Sequence, residues 1–136
     1  MWPEVTYDWV GIVVATVAAM VIGGIWYGPL FSKAWMGYIG KSREELRAQG
    51  GIGYLIAALG AFVSAIVLTA VTQWAQANGF ADGVLVGIVA WAGFTLSTQV
   101  TGGVFEARPW GLILINSGNS LLTFMVVGGI VSAFAD

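Results

Sequence analysis

Hydrophobic positions in this chain fall into long unbroken runs rather than into period-two alternation or narrow one-faced stripes. Four runs reach membrane-crossing length: about Trp9 to Tyr27, Gly53 to Gln76, Ala81 to Phe105 and Trp110 to Phe134. A helix needs roughly 20 mostly apolar residues to cross hydrocarbon, where the segment must satisfy every backbone polar group itself. Barrel strands would instead appear as shorter alternating segments. The breaks between runs are chemically distinct. Gly28-Pro29 ends the first, because proline cannot extend the hydrogen-bond ladder and disfavours helix in the residue before it. Asn78-Gly79 with Asp82 marks a tight turn, and Glu106-Ala107-Arg108-Pro109 separates the last two runs, with Pro109 suited to the first turn of the helix it opens. The expected fold is therefore an all-α membrane protein. It is a single four-helix transmembrane domain over residues 1–136, with a short interfacial segment between the first two helices.

That segment, Leu30 to Ile39, mixes apolar, aromatic and basic residues. It is expected to lie along the inner leaflet, with Trp35 and Tyr38 at headgroup level and Lys33 extending toward the phosphates. Ser42 followed by Glu45 has the spacing of a capping box and predicts a short helix start there.

Composition agrees with a lipid environment. The 136 residues are 58% hydrophobic and 9% charged, against about a quarter charged in soluble domains. The five basic residues are distributed unevenly: Lys33, Lys41, Arg43 and Arg47 lie in the first connection and Arg108 in the third. Those connections share a side, and the positive-inside rule makes it the cytoplasm. Both termini are then outside, with Glu4, Asp8, Asp82 and Asp136. The expected location is the bacterial inner (cytoplasmic) membrane. The N-terminal residues lack the basic segment of a signal peptide, so the first run is read as a retained span. Aromatic residues fit this placement: Trp2, Trp9 and Trp74 near the outer interface, and Trp26, Tyr27, Trp35, Tyr38, Tyr54 and Trp110 near the inner one. Trp26, Tyr27, Lys33 and Trp35 are the expected interfacial anchors.

Two kinds of helix face carry potential function. The first span aligns Gly11, Ala15, Ala18, Ala19 and Trp26, and the second aligns Gly53, Ala57, Gly60 and Ser64. These small-residue seams let backbones approach closely, either within one bundle or between subunits. The third span aligns Trp91, Thr95, Thr98, Gln99, Gly102 and Glu106. The indole N–H of Trp91 needs a partner that Thr or Gln can supply. The fourth aligns Asn116, Asn119, Ser120 and Thr123. Amide side chains are costly in hydrocarbon unless satisfied, so the two polar faces either bind each other across the bundle or line a polar path or pocket.

Catalytic chemistry is poorly supplied. There is no cysteine and no histidine. There is no nucleophile–base pair, no Gly-rich phosphate loop followed by lysine, and no cluster of metal ligands. No acid or base lies mid-span, as a proton-coupled pump would require. The expectation is a non-enzymatic membrane protein without cofactor, metal or nucleic-acid partner. It would be a structural or accessory subunit of a homo-oligomer or larger membrane complex, with the bilayer and other membrane proteins as its partners. The alternative is a small channel or transporter for an ion or polar solute, using the polar faces of the third and fourth spans.

The block Trp26-Tyr-Gly-Pro-Leu-Phe-Ser-Lys-Ala-Trp-Met36 resembles a signature at the end of the first helix in the bacterial membrane family known as domain-of-unknown-function family 1761. Trp91-Ala-Gly-Phe-Thr95, Phe105-Glu-Ala-Arg-Pro-Trp-Gly-Leu112, Ile115-Asn-Ser-Gly-Asn119 and Met125-Val-Val-Gly-Gly-Ile130 also fit its pattern. The resemblance covers nearly the whole chain. It implies four helices and a small bacterial membrane protein, and it brings no catalytic or binding residues. The chain departs from the pattern at Asn119-Ser120, where the family often has an aromatic residue or histidine. Separately, Gly93-Phe-Thr-Leu-Ser-Thr98 is similar to the Thr/Ser-rich third helix of fluoride channels, whose weak charge bias contrasts with the one-sided basic residues here.

Overall fold

Residues 3–135 are described in the computed structural model, so Trp2 and Asp136, both expected on the outer side, lie outside the described residues. α1 (Trp9–Ile25) widens at its end into a π-turn over Trp26–Leu30. α2 (Ser32–Ile39) and α3 (Arg43–Ala48) form the first connection, and α4 (Ile52–Trp74) is the second span. The third span is α5 (Gly79–Ala90), a π-helical stretch over Trp91–Leu96, and α6 (Ser97–Phe105); α7 (Trp110–Ala135) is the fourth. All four spans are long and apolar enough to cross a membrane.

Local chemistry explains the ends. Asp8 caps α1 by accepting from the Gly11 amide at 3.0 Å. The first span does not stop at Gly28. The Phe31 amide reaches the Trp26 carbonyl at 2.9 Å, so the chain passes Pro29 by widening one turn before it breaks. α4 ends at Trp74, two residues short of the expected limit. Gln76 takes a left-handed conformation (φ 60°) and the Ala77 amide closes back on the Thr72 carbonyl at 2.9 Å. Ala107 (φ 58°) ends α6 in the same way, with the Arg108 amide on the Gly103 carbonyl at 2.8 Å. The expected capping box is present: the Ser42 hydroxyl accepts from the Glu45 amide at 3.2 Å, and Glu45 Oε1 accepts from the Ser42 amide at 3.3 Å.

α7 is the hub, packing against α1, α4 and α5, whereas α4 and α5 touch only lightly. Its glycines receive its neighbours. A side chain at Gly128 would strike the Gly83 carbonyl oxygen of α5 at 2.5 Å, and one at Gly129 would meet the Phe80 ring at 2.6 Å. Gly118 accommodates the Trp26 ring and Gly111 the Tyr38 ring. The close α5–α7 approach runs through Gly83 and Gly87, a small-xxx-small pair whose partners are the Gly128 and Phe124 backbones.

The main buried cluster lies toward one end, with Leu112, Ile113 and Ile115 buried separately near the start of α7. Ile12, Ala15 and Ala19 of α1 meet Ala65 and Leu68 of α4 and Val127 and Val131 of α7. At that end the N-terminal strap is clipped to α4: the Thr6 amide donates to Gln73 Oε1 at 2.9 Å, and Gln73 Nε2 donates to the Thr6 carbonyl at 2.6 Å. Toward the other end the first half of α4 leaves the bundle, and from Ile52 to Gly60 every residue except the half-buried Ala58 is exposed. Tyr38 of the first connection rests on Gly111 at the start of α7, so the first and third connections share that end. Lys33, Lys41, Arg43, Arg47 and Arg108 therefore lie at the open end, opposite the main buried cluster.

Candidate binding cleft

The first-span seam packs inside the chain: Gly11, Ala15 and Ala19 are buried and Ala18 is half-buried. The second-span seam does not. Gly53, Ala57 and Gly60 are exposed and Ser64 is half-buried, because α4 has already diverged from α1 at their level. Gly23 and Gly24 of α1, like Gly53 and Gly60 of α4, have nothing within 4 Å of where a Cβ would stand. Divergence and missing side chains together leave a cleft of about 990 Å³ between the first two spans, running down from α2 and α3 to Asn119 and Thr123 of α7.

The polar faces of the third and fourth spans separate into three groups. In the first, Trp91, Gln99 and Ser120 join α7 to the third span. The Trp91 indole donates to Ser120 Oγ at 3.0 Å and to the Ser117 carbonyl at 3.1 Å. Ser120 Oγ in turn lies 3.1 Å from Gln99 Oε1 and 3.0 Å from the Ser117 carbonyl, one of which takes its single proton. The indole partner is thus a serine rather than the expected Thr or Gln.

The second group turns away. Thr98 is exposed, and its hydroxyl donates to the Phe94 carbonyl at 2.8 Å and the Thr95 carbonyl at 2.9 Å; Thr95 is half-buried. Ser97 likewise donates to the Gly93 carbonyl at 2.6 Å. The π-helical stretch is the reason. Each extra residue in a turn rotates the downstream part of the helix by about 100°, which swings Thr98 out of the face that an ideal helix would share with Trp91. The freed carbonyls are taken up by the hydroxyls beside them. The segment similar to fluoride channels thus spends both of these hydroxyls on its own backbone.

The third group faces the first span. Asn116 Oδ1 accepts from the Tyr27 hydroxyl at 2.7 Å. Asn119 Oδ1 and Thr123 Oγ1, like Ser117 Oγ and Ser132 Oγ elsewhere on α7, are buried atoms without a hydrogen-bond partner among the described residues, and the residues Asn119 and Thr123 belong to the lining of the cleft. The anticipated common face of Trp91, Thr95, Thr98, Gln99, Asn116, Asn119, Ser120 and Thr123 is therefore not one surface. Only Asn119 and Thr123 of this set line the cleft.

Trp26 and Tyr27 also make contacts with α7. Both are half-buried. The π-turn swings both onto α7, where the Trp26 indole donates to the Ile115 carbonyl at 2.9 Å. Trp26 lies against Phe31 with centroids 4.7 Å apart, and Tyr27 against Trp35 at 5.0 Å. Lys33 is exposed, as an interfacial lysine would be, and Trp35 is half-buried in the cleft wall.

At the mouth stand Arg43 and Arg47, one turn apart on α3, with Gln49. The ion pair found among the described residues is Arg108 with Glu106, 2.7 Å apart and exposed on both sides. The described residues hold no group of three or more acidic, histidine or cysteine side chains able to bind a metal ion.

The fold and cleft define an all-helical protein of four membrane-spanning helices with a pocket open at its basic end. The chain matches the model of the family described as a protein of unknown function (DUF1761) over residues 10–132, and it belongs to that family. No curated protein and no solved structure matches it.

Proposed function

We propose that this chain is a non-enzymatic membrane-embedded binding protein, of the carrier type, that takes a small molecule into the cleft between its first two spans. This reading belongs to the channel-or-transporter class but moves the site from the third and fourth spans to the first, second and fourth. The observation that carries it is that Asn119 and Thr123, whose Oδ1 and Oγ1 are buried and without a hydrogen-bond partner among the described residues, both belong to the lining of a mostly apolar cleft that also holds Gly, Ala, Met and aromatic residues. A buried polar atom without a partner costs about 1–3 kcal/mol, which a ligand supplying the hydrogen bond offsets. A pocket that is mostly apolar with a few convergent polar groups is the usual form of a small-molecule site.

The two asparagines separate binding from structure. Asn119→Leu removes an unpartnered atom, so thermal stability in detergent holds or rises while ligand uptake into proteoliposomes is lost. Asn116→Leu leaves the Tyr27 hydroxyl unpartnered and lowers stability by about 1 kcal/mol, near the value of interhelical hydrogen bonds in membranes. Equal destabilisation by both substitutions would reduce Asn119 to a packing residue and refute the reading.

We further propose that the protein sits in the bacterial inner membrane with both termini outside, on the support of five basic residues at one end. A cysteine at Asn78 then reacts with an impermeant thiol reagent in intact cells and one at Gln49 does not; the reverse pattern inverts the topology. The accessory-subunit reading has support of its own. The exposed Gly53, Ala57 and Gly60 would suit a helix from a second copy or another membrane protein, and the mass of the gently extracted complex tests it.

A further inference from the structure

We infer that the cleft selects an amphipathic anion: a carboxylate- or phosphate-headed molecule with a hydrocarbon chain and a hydrogen-bond donor at its far end. The inference rests on the cleft being a binding site and adds the chemistry of what it holds. Arg43 and Arg47 are the charged side chains in the lining, and no carboxylate accompanies them. The acids beside them on α3 are not in the lining, and Glu45 is occupied in capping Ser42. Neither arginine has an ion-pair partner among the described residues. Like charges one turn apart oppose each other on a helix, and a shared anion removes that repulsion. Two guanidinium groups offer donor forks that match carboxylate and phosphate oxygens.

Below the mouth the chemistry changes. Gly23, Gly24, Gly53 and Ala57, with Met20 and Ala61, make the walls mostly apolar, which suits hydrocarbon, although Tyr27 and Ser64 also belong to the lining. Where the cleft reaches α7, Asn119 belongs to its lining and carries a buried, unpartnered Oδ1 that can only accept, so once the amide turns into the cleft a ligand ending in a hydroxyl satisfies it and one ending in a methyl group does not. The α4 wall runs from Gly51 to Ser64, about 20 Å by helical rise, the length of a long acyl chain. The headgroup could belong to a bilayer lipid or to a free acid, and both share this recognition.

The test is equilibrium binding of radiolabelled 16-hydroxyhexadecanoate to the purified full chain in neutral detergent. Competitors are hexadecanoate, hexadecanol, hexadecyltrimethylammonium and phosphatidylglycerol. The expected result is saturable binding that weakens with salt. Arg43→Gln/Arg47→Gln should weaken it at least tenfold, and hexadecanoate should compete about tenfold less well than the labelled acid. Competition by phosphatidylglycerol at bilayer-like mole fractions assigns the site to lipid, and its failure assigns it to the free acid; either supports the anion. If hexadecanol or the ammonium compound competes as well as hexadecanoate, the anion inference falls while the cleft stands as a site. If no probe binds, and cavity-filling Ala57→Trp changes neither stability nor uptake, both fall. The salt dependence of the unaltered protein gives an answer even if the arginine variant misfolds.

Discussion

Gly87→Ala loosens the third span from α7 and costs about 3 kcal/mol of stability, although it adds a single methyl group. A Cβ at this position runs into the Phe124 carbonyl oxygen, stands 2.8 Å from its carbon and 3.3 Å from the Met125 nitrogen. Those are backbone atoms inside the longest helix of the protein, with no rotamer to relieve the overlap. The helices must separate, and with them goes the Trp91–Ser120–Gln99 network one to two turns further along. The same substitution at Gly60, where nothing lies within 4 Å, has the opposite sign. Alanine there gains about 0.5–1 kcal/mol from helix propensity alone. Unfolding midpoints of the two variants in mixed micelles make the comparison. A Gly87→Ala protein as stable as the parent would mean that α5 and α7 do not meet in close backbone packing.

Trp26→Ala is expected to cost about 2–3 kcal/mol, somewhat below the 3–5 kcal/mol of a fully buried aromatic in a soluble core, because this ring is half-buried. Three contributions are lost together: the ring over Gly118, the hydrogen bond to the Ile115 carbonyl, and the contact with Phe31. Trp26→Phe keeps most of the packing and loses the donor, so it should recover more than half of the stability. The effect reaches the cleft as well. Tyr27 and Trp35, the next aromatic residues in the cluster, both line it, so ligand affinity should fall with Trp26→Ala even when folding is restored by low temperature. Unchanged affinity would show that the aromatic cluster and the cleft are independent.

The four spans are legible in the sequence because each is a continuous apolar run, and lipid leaves a long apolar run few alternatives to helix. The capping box at Ser42 and Glu45 is legible because it is local in sequence. What stays hidden depends on partners far along the chain. Gly83-Val-Leu-Val-Gly87 and Gly53-Tyr-Leu-Ile-Ala57 have the same small-xxx-small spacing, yet the first is the tightest contact in the bundle and the second lines a cleft. The difference lies in Gly128, some forty positions downstream of Gly87. Ideal helical phase misplaces Thr98, because the helix is π across Trp91–Leu96. The contacts of Trp26 and Tyr27 with α7 stay hidden for a similar reason, since they form beside the π-turn that contains Pro29. The pairing of Asn119 with Thr123 is visible as a stripe, but its separation from Ser120 is not. The α7 face splits between two neighbours, and only the packing decides which residue meets which.

The central position of α7 also sets an order of assembly. α7 follows α1, α4 and α5 in the chain, and α5 has only a light contact with α4 to hold it before α7 arrives. Until then Gly83 and Gly87 face lipid, and the third span is a separately inserted helix with no close partner in its own chain. Bundle formation is therefore post-insertional for half the molecule. A ribosome stalled before Trp110 would leave a first and second span already joined through Ala15 and Ala65, beside a third that quality-control proteases can draw out of the membrane.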